Sequence, residues 1–344
     1  MADQKFAKAS VTVLTGYLGS GKTTLLRGLL ASPDLQDTAV IVNEFGDVGL
    51  DHLLVESGTE DVVLLDQGCL CCTVSDSLSE TLADLMFRRA RGEIPAFRRV
   101  VIETSGLADP APILHCLLSD KLIGEHYRLA GLVCVLDALH GLEQMSGTAE
   151  ATKQAAIADV LVISKTDVAE VAKTDRLTEE LAKLNPRAAV LQIIQGDIVD
   201  PQDILEAGTT TERNLADLAV REPHEHDHNH AHGDVTTETF EIAQPATWAG
   251  YDFWVRRLKE FRGADLLRMK GVLAFEGRDT PYFVQGVQHV FGAPEPLDSW
   301  PWQDRRGRLV FITRGLDKET LAASLENLCE PSGIYRPLSA DDKL

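Results

Sequence analysis

Nowhere in the 344 residues is there an uncharged apolar run approaching the roughly 20 residues needed to cross a bilayer. The opening MADQKFAKAS carries no cleavable apolar segment, so the expected location is the cytoplasm. Positive charge is also in short supply: 33 Lys and Arg stand against 53 Asp and Glu, a net charge of −20. Such a surface repels polyphosphate backbones and anionic lipid, which argues against nucleic acid or membrane as partners. Cysteines in spaced pairs are missing too. Three of the six crowd into GCLCC at 68–72 while Cys116, Cys134 and Cys329 are scattered, so reduced thiols are expected rather than a secreted disulfide framework. What remains is an ordinary globular composition, 44% hydrophobic and 25% charged, on a chain long enough for two cores.

Short, continuously apolar runs at 10–15, 39–42, 62–65, 100–102, 132–136, 160–163 and 189–194 alternate with longer stretches, among them helical segments at 23–30, 78–91 and 178–184, the last closing at Asn185-Pro186. Apolar strands separated by crossover-length segments imply a doubly wound, mostly parallel α/β sheet. Near Glu222 the composition changes to PHEHDHNHAHGD, which has almost nothing to bury and reads as a linker. Beyond it, strands at 236–242, 267–275, 282–291 and 309–313 and helices at 251–262 and 318–328 suggest a smaller α+β domain with an antiparallel sheet. The expected organisation is therefore a P-loop domain at 1–215, a His-rich linker at 216–235, an α+β domain at 236–335 and a tail at 336–344.

GYLGSGKT at 16–23 fits the eight-position phosphate-loop pattern, follows a strand and opens a helix. Gly16, Gly19 and Gly21 let the backbone curl so that N–H groups converge on phosphate, with Ser20 and Thr24 completing the cradle at a helix N-terminus. Lys22 would bridge β- and γ-phosphate oxygens, and the Thr23 hydroxyl would hold Mg²⁺. Glu103, ending an apolar strand, is the acid expected near that ion, and Gly106 would let backbone approach the γ-phosphate. Asp137, after the next strand, reads as a helix cap. Ser164-Lys165-Thr166-Asp167 resembles the Asn-Lys-x-Asp guanine reader. The Asp167 carboxylate would accept from guanine N1–H and the 2-amino group, a donor pair adenine lacks, so GTP is favoured over ATP. Ser164 departs from that pattern by removing an amide.

Cys69, Cys71 and Cys72 follow a strand at the sheet edge expected to carry the phosphate loop. Alternation points Cys69 and Cys71 the same way and a turn brings Cys72 round, giving up to three thiolates for a borderline ion, with Glu44 as an oxygen donor for the fourth position. The alternatives are small buried hydrophobes, or redox chemistry between Cys69 and Cys72. In the linker, His224, His226, His228, His230 and His232 alternate, so an extended chain presents five imidazoles on one side, a weak collector for zinc, copper, cobalt or nickel. His52, His115, His126, His140 and His289 show no such pattern, His115 alone being a weak ligand candidate.

Together the phosphate loop, NEFGDVG at 43–49, GCLCC at 68–72, ETSG at 103–106 and SKTD at 164–167 resemble the CobW-like family of P-loop metallochaperone GTPases, in order and in spacing. The resemblance spans nearly the whole chain. It implies slow GTP hydrolysis dependent on Mg²⁺, a metal at Cys69, Cys71 and Cys72, and a switch segment containing Glu44 and Asp47. Zn²⁺ is the first expected ion and Co²⁺ the second; a client metalloprotein is the implied recipient, and self-association is open. Branches of the family serve zinc proteins, cobalt insertion or nitrile hydratase maturation. Rival readings are a P-loop kinase acting on a metabolite and a passive metal store.

Overall fold

The computed structural model describes residues 7–32, 35, 37–42, 64–65, 74–194, 201–205, 235–326 and 328–329. The chain divides into two compact units, Met1–Thr209 and Thr210–Leu344. In the first, seven strands are described: β1 (Ala9–Thr15), β2 (Thr38–Val42), β3 (Leu64–Leu65), β4 (Arg99–Glu103), β5 (Tyr127–Asp137), β6 (Val160–Ser164) and β7 (Ala189–Gln192). They lie in the order β3-β2-β4-β1-β5-β6-β7, each neighbouring pair parallel. Every residue of β1 and β6 is buried, as continuously apolar strands require when both faces of a sheet are covered.

From β1 the chain runs to one edge of the sheet, returns through β4, then crosses to β5 and the other edge. Right-handed crossovers put the helices of the two halves on opposite faces. The carboxyl end of β1, between β4 and β5, is then the switch point at which open sheets bind ligands. The helices are α1 (Lys22–Leu30), α2 (Val74–Arg91), α3 (Ala111–Ser119), α4 (Lys121–His126), α5 (Gly141–Gly147), α6 (Ala149–Ile157), α7 (Val171–Leu184) and α8 (Pro201–Leu205). Leu25, Leu26 and Leu29 of α1 pack with Leu14, Val133, Val135 and Val162 of the sheet, each such burial stabilising by about 1.5–3 kcal/mol. That packing fixes the first turn of α1 against the end of β1.

The two largest boundary differences in this unit both place an element's start earlier than the sequence pattern indicates. β5 starts at Tyr127 rather than 132, where the buried ring directs its hydroxyl to Leu82 O at 2.8 Å. α7 starts at Val171 rather than 178; Thr174, Leu177, Leu181 and Leu184 form its buried stripe, but exposed Val171 breaks the apolar periodicity.

The second unit contains β8 (Val235–Ile242), α9 (Trp248–Arg262), β9 (Leu266–Leu273), β10 (Tyr282–Val287), β11 (Val290–Phe291), β12 (Glu295–Pro296), β13 (Gly307–Arg314) and α10 (Lys318–Leu325). Its antiparallel sheet has the order β11-β10-β9-β13-β8, with β12 paired to β10. The single strand expected at 282–291 is a hairpin instead: Val287 pairs with Val290 across Gln288, whose φ of 52° turns the chain. Thr247 and Asp317 cap α9 and α10 by accepting from Gly250 N (2.9 Å) and Thr320 N (2.7 Å). Trp254, Phe275 and Phe311 anchor a core of its own. Among the described residues no helix is long and apolar enough to cross a membrane.

Candidate nucleotide site

The loop between β1 and α1 depends on glycine. Gly16, Gly19 and Gly21 have φ of 140°, 72° and 97°, the region that side chains avoid. A Cβ on Gly16 would fall 2.2 Å from Val135 O, so the loop lies directly on β5. Lys22, 8% exposed, donates from Nζ to Gly16 O at 2.9 Å and Tyr17 O at 3.2 Å, drawing the loop into a closed ring. Ser20 Oγ is buried inside it without a hydrogen-bond partner among the described residues. Thr23 and Thr24 are exposed on the first turn of α1.

Register brings Glu103 to this loop, because Leu14 and Val42 both stand level with it. The Thr23 hydroxyl donates to Glu103 Oε1 at 2.7 Å, although the two residues are far apart in sequence, and the glutamate is 4% exposed. Thr104 tightens the turn after β4 through N–H to Leu14 O (2.9 Å) and Oγ1 to Thr15 Oγ1 (3.0 Å). Gly106 then presses on the phosphate loop: a Cβ there would lie 2.6 Å from Leu18 N. Ser105 Oγ is likewise buried without a hydrogen-bond partner among the described residues. A glycine cradle, two orphaned hydroxyls and a hydroxyl–carboxylate oxygen pair fit a phosphate chain and a hard divalent cation.

Across the switch point, β5 and β6 set the third element. Ser164 Oγ donates to Ser20 O at 2.5 Å, with Leu136 O at 3.2 Å, and sits 3.4 Å from where a Cβ on Gly21 would be. The serine therefore ties the SKTD segment to the phosphate loop. Lys165, with φ of 58°, donates from Nζ to Asp137 Oδ2 at 2.7 Å. Asp137 is not the helix cap expected from sequence; His140 occupies the position before α5. Its carboxyl is level with Ser164 and takes Lys165, Leu139 N (2.7 Å) and His140 Nδ1 (3.4 Å) instead. Burial pushes the Asp137 pKa up, but hydrogen bonds from Lys165, Leu139 and His140 outweigh it and leave the carboxyl below its usual value. Asp167 is exposed, its carboxylate open to solvent.

Glu44, Asp47, His52, Cys69, Cys71, Cys72, His224, His226, His228, His230 and His232 lie outside the described residues. Among the described residues no group of three or more His, Cys, Asp and Glu is arranged to hold a metal. Burial pushes the Cys134 thiol up to about 12 against the opposing pull of Lys22, and burial also raises Cys116, so both remain protonated thiols. His115 is half-buried on α3. The sequence pattern passed over Asp137 as an ion partner, and gave no local sign of Gln154, Lys153 and Asp109, which meet around the turn after Glu103. The only clue to Asp137 was a carboxylate ending an apolar run.

This sheet order and loop define a P-loop nucleotide-binding protein. A family model described as CobW/HypB/UreG, nucleotide-binding domain, matches residues 10–192, and one described as Cobalamin synthesis protein cobW C-terminal domain matches residues 235–329. The chain belongs to the CobW family. It is 34% identical over 323 residues to the zinc chaperone YjiA of Escherichia coli (strain K12), covering 93% of this chain and 98% of that protein. It is 28% identical over 357 residues to the zinc-regulated GTPase metalloprotein activator 1 of Schizosaccharomyces pombe, covering 92% and 85% respectively. The crystal structure of Zn(II)-bound YjiA GTPase superimposes with a TM-score of 0.71 at 30% identity, over 94% of this chain and 100% of that one.

Proposed function

We propose that this protein is a slow GTPase whose nucleotide state controls the holding of a transition metal, zinc first and cobalt second, and its release to a client metalloprotein. The observation that carries the reading is the Thr23–Glu103 hydrogen bond at the mouth of the glycine cradle, in a chain similar over nearly its full length to a zinc chaperone. In this reading Lys22 leaves the carbonyls of Gly16 and Tyr17 for β- and γ-phosphate oxygens, while Gly16, Gly19, Ser20, Gly21 and Thr24 cradle the phosphates. Thr23 and Glu103 hold Mg²⁺, which when bound neutralises charge on the phosphates. Gly106 faces the γ-phosphate. Asp167 reads guanine, with Ser164 and Lys165 fixing the loop that presents it.

Sheet topology supports a metal site on the same rim. β3 lies three strands from β1, roughly 14 Å at ~4.8 Å per strand. Leu65 pairs with Ile41, Ile41 with Ile102 and Ile102 with Val13, so β3 ends level with Val13, two residues before β1 ends at Thr15 on the same side of the sheet. Cys69 follows the first, and Gly16 the second, within a few residues. Thiolates of Cys69, Cys71 and Cys72, with Glu44 as a further donor, hold the ion in this reading, and nucleotide-dependent ordering of 43–49 alters their geometry. The linker histidines collect metal weakly and lose it in mild acid as they protonate.

Zinc titration of the full-length protein with GDP and with a non-hydrolysable GTP analogue tests this. Affinity should differ between the two nucleotides, and zinc should change GTP affinity by the same factor. Cys71→Ser should lower zinc affinity by at least about tenfold, equivalent to 1.4 kcal/mol, with GDP binding retained. Equal zinc affinity in both nucleotide states refutes the coupling, and normal zinc binding by Cys71→Ser refutes the site. A metabolite kinase would consume GTP only with an acceptor, whereas a passive store would show turnover indifferent to metal.

A further inference from the structure

We propose that Gln154 is a positioning residue for GTP hydrolysis, holding the turn after Glu103 against the phosphate loop. The inference deepens the GTPase reading above and rests on it. Gln154 lies on α6, 1% exposed, among buried Ala151, Ala155, Ala156 and Ile157. A core helix face of that kind favours an apolar residue, because an amide there costs desolvation. Nε2 donates to Ala108 O at 2.9 Å and Gly106 O at 3.4 Å, while the buried Oε1 has no hydrogen-bond partner among the described residues. A half-satisfied amide is a poor core stabiliser; holding two loop carbonyls is a task that explains its presence.

The neighbouring residue acts on the same turn. Lys153 Nζ donates to Asp109 Oδ2 at 2.6 Å, and Asp109 Oδ1 accepts from Ala111 N at 3.0 Å where α3 begins. Consecutive side chains of α6 therefore grip 106–109 from one side. On the other side the contact of Gly106 with Leu18 leaves no room even for a methyl group. α6 is itself anchored, since Asn185 Nδ2 donates to the carbonyls of Ala155 (3.1 Å), Ala156 (2.8 Å) and Ala158 (2.9 Å). The turn is thus clamped between a fixed helix and the phosphate loop, at the point from which Gly106 meets the γ-phosphate. GDP lacks that phosphate. Loosening the clamp should therefore impair the handling of GTP and spare GDP.

The test compares wild type, Gln154→Met, which keeps the volume and loses the donor, and Lys153→Ala, whose change lies at the rim. Affinities for GDP and for a non-hydrolysable GTP analogue are measured with kcat, KM and thermal midpoint. Expected for Gln154→Met is GDP affinity within about twofold of wild type and a fall of about 10- to 100-fold in kcat and analogue affinity, the scale of a mispositioned reacting group. Lys153→Ala should move the same quantities, less far. Parallel loss of GDP and analogue affinity, or unchanged kcat, overturns the proposal while the GTPase reading stands. Should Gln154→Met fail to fold, Lys153→Ala decides: an unchanged ratio of analogue to GDP affinity overturns it. Absence of GTP turnover in the wild type overturns both.

Discussion

At the scale of single residues, Ser164 shows how one hydroxyl takes over a structural link. Guanine readers of the Asn-Lys-x-Asp type place an amide at this position, and its replacement suggests a weaker loop. The serine instead reaches Ser20 O at 2.5 Å beneath the side-chain-free Gly21. Ser164→Ala removes the donor and strands a buried carbonyl, a loss of about 1–3 kcal/mol. The expected outcome is a lower thermal midpoint and a roughly tenfold fall in GDP affinity, the equivalent of 1.4 kcal/mol, with the proposed preference for GTP over ATP retained because Asp167, its proposed reader, is untouched. Isothermal titration with GDP and with non-hydrolysable analogues of GTP and ATP checks both parts; unchanged GDP affinity would show the link to be idle. Asp137 makes the related point for charge: its carboxylate neutralises Lys165 beside the same loop, a pairing no local motif announces.

Among the elements, α6 and α7 are joined by a residue visible in the sequence only as a stop signal. Asn185 before Pro186 marks the end of α7, and α7 does end at Leu184. Its side chain, 1% exposed, also closes the carboxyl end of α6 by donating to three carbonyls there and accepting from Ala188 N at 3.2 Å. Asn185→Ala should destabilise the first unit by about 2–3 kcal/mol through stranded buried acceptors, read as a lower urea midpoint at unchanged slope. A shift below about 0.5 kcal/mol, the range of ordinary surface substitutions, would mean that water replaces the amide. The hairpin at Gln288 belongs to the same scale: apolar residues recur through 282–291 without a turn signal that sets the run apart as two strands, and the positive φ at Gln288 reveals that the chain reverses there.

For the whole molecule, each unit has its own core, one around Leu14, Leu25 and Val133 and one around Trp254, Phe275 and Phe311. The phosphate loop lies in the first. A ligand that binds one folded unit stabilises that unit by mass action, about 2.7 kcal/mol at a hundred times its Kd. Calorimetry should therefore resolve two transitions, of which saturating GDP with Mg²⁺ raises one and leaves the other in place. A single transition displaced as a whole would show that the units unfold together.

The amino-acid sequence by itself determined the phosphate loop, the buried strands and the change of composition near Glu222. Those features depend on neighbours along the chain: φ values that glycine tolerates, apolar runs that fill a two-sided sheet, histidines with nothing to bury. Only the tertiary structure decided that Glu103 meets Thr23, that Ser164 holds Ser20, that Asp137 takes Lys165 and that Gln154 grips the turn at Ala108. Each of these joins groups distant along the chain, and what brings them together is the order of strands about β1, which gathers the carboxyl ends of β4, β5 and β6 around a single loop.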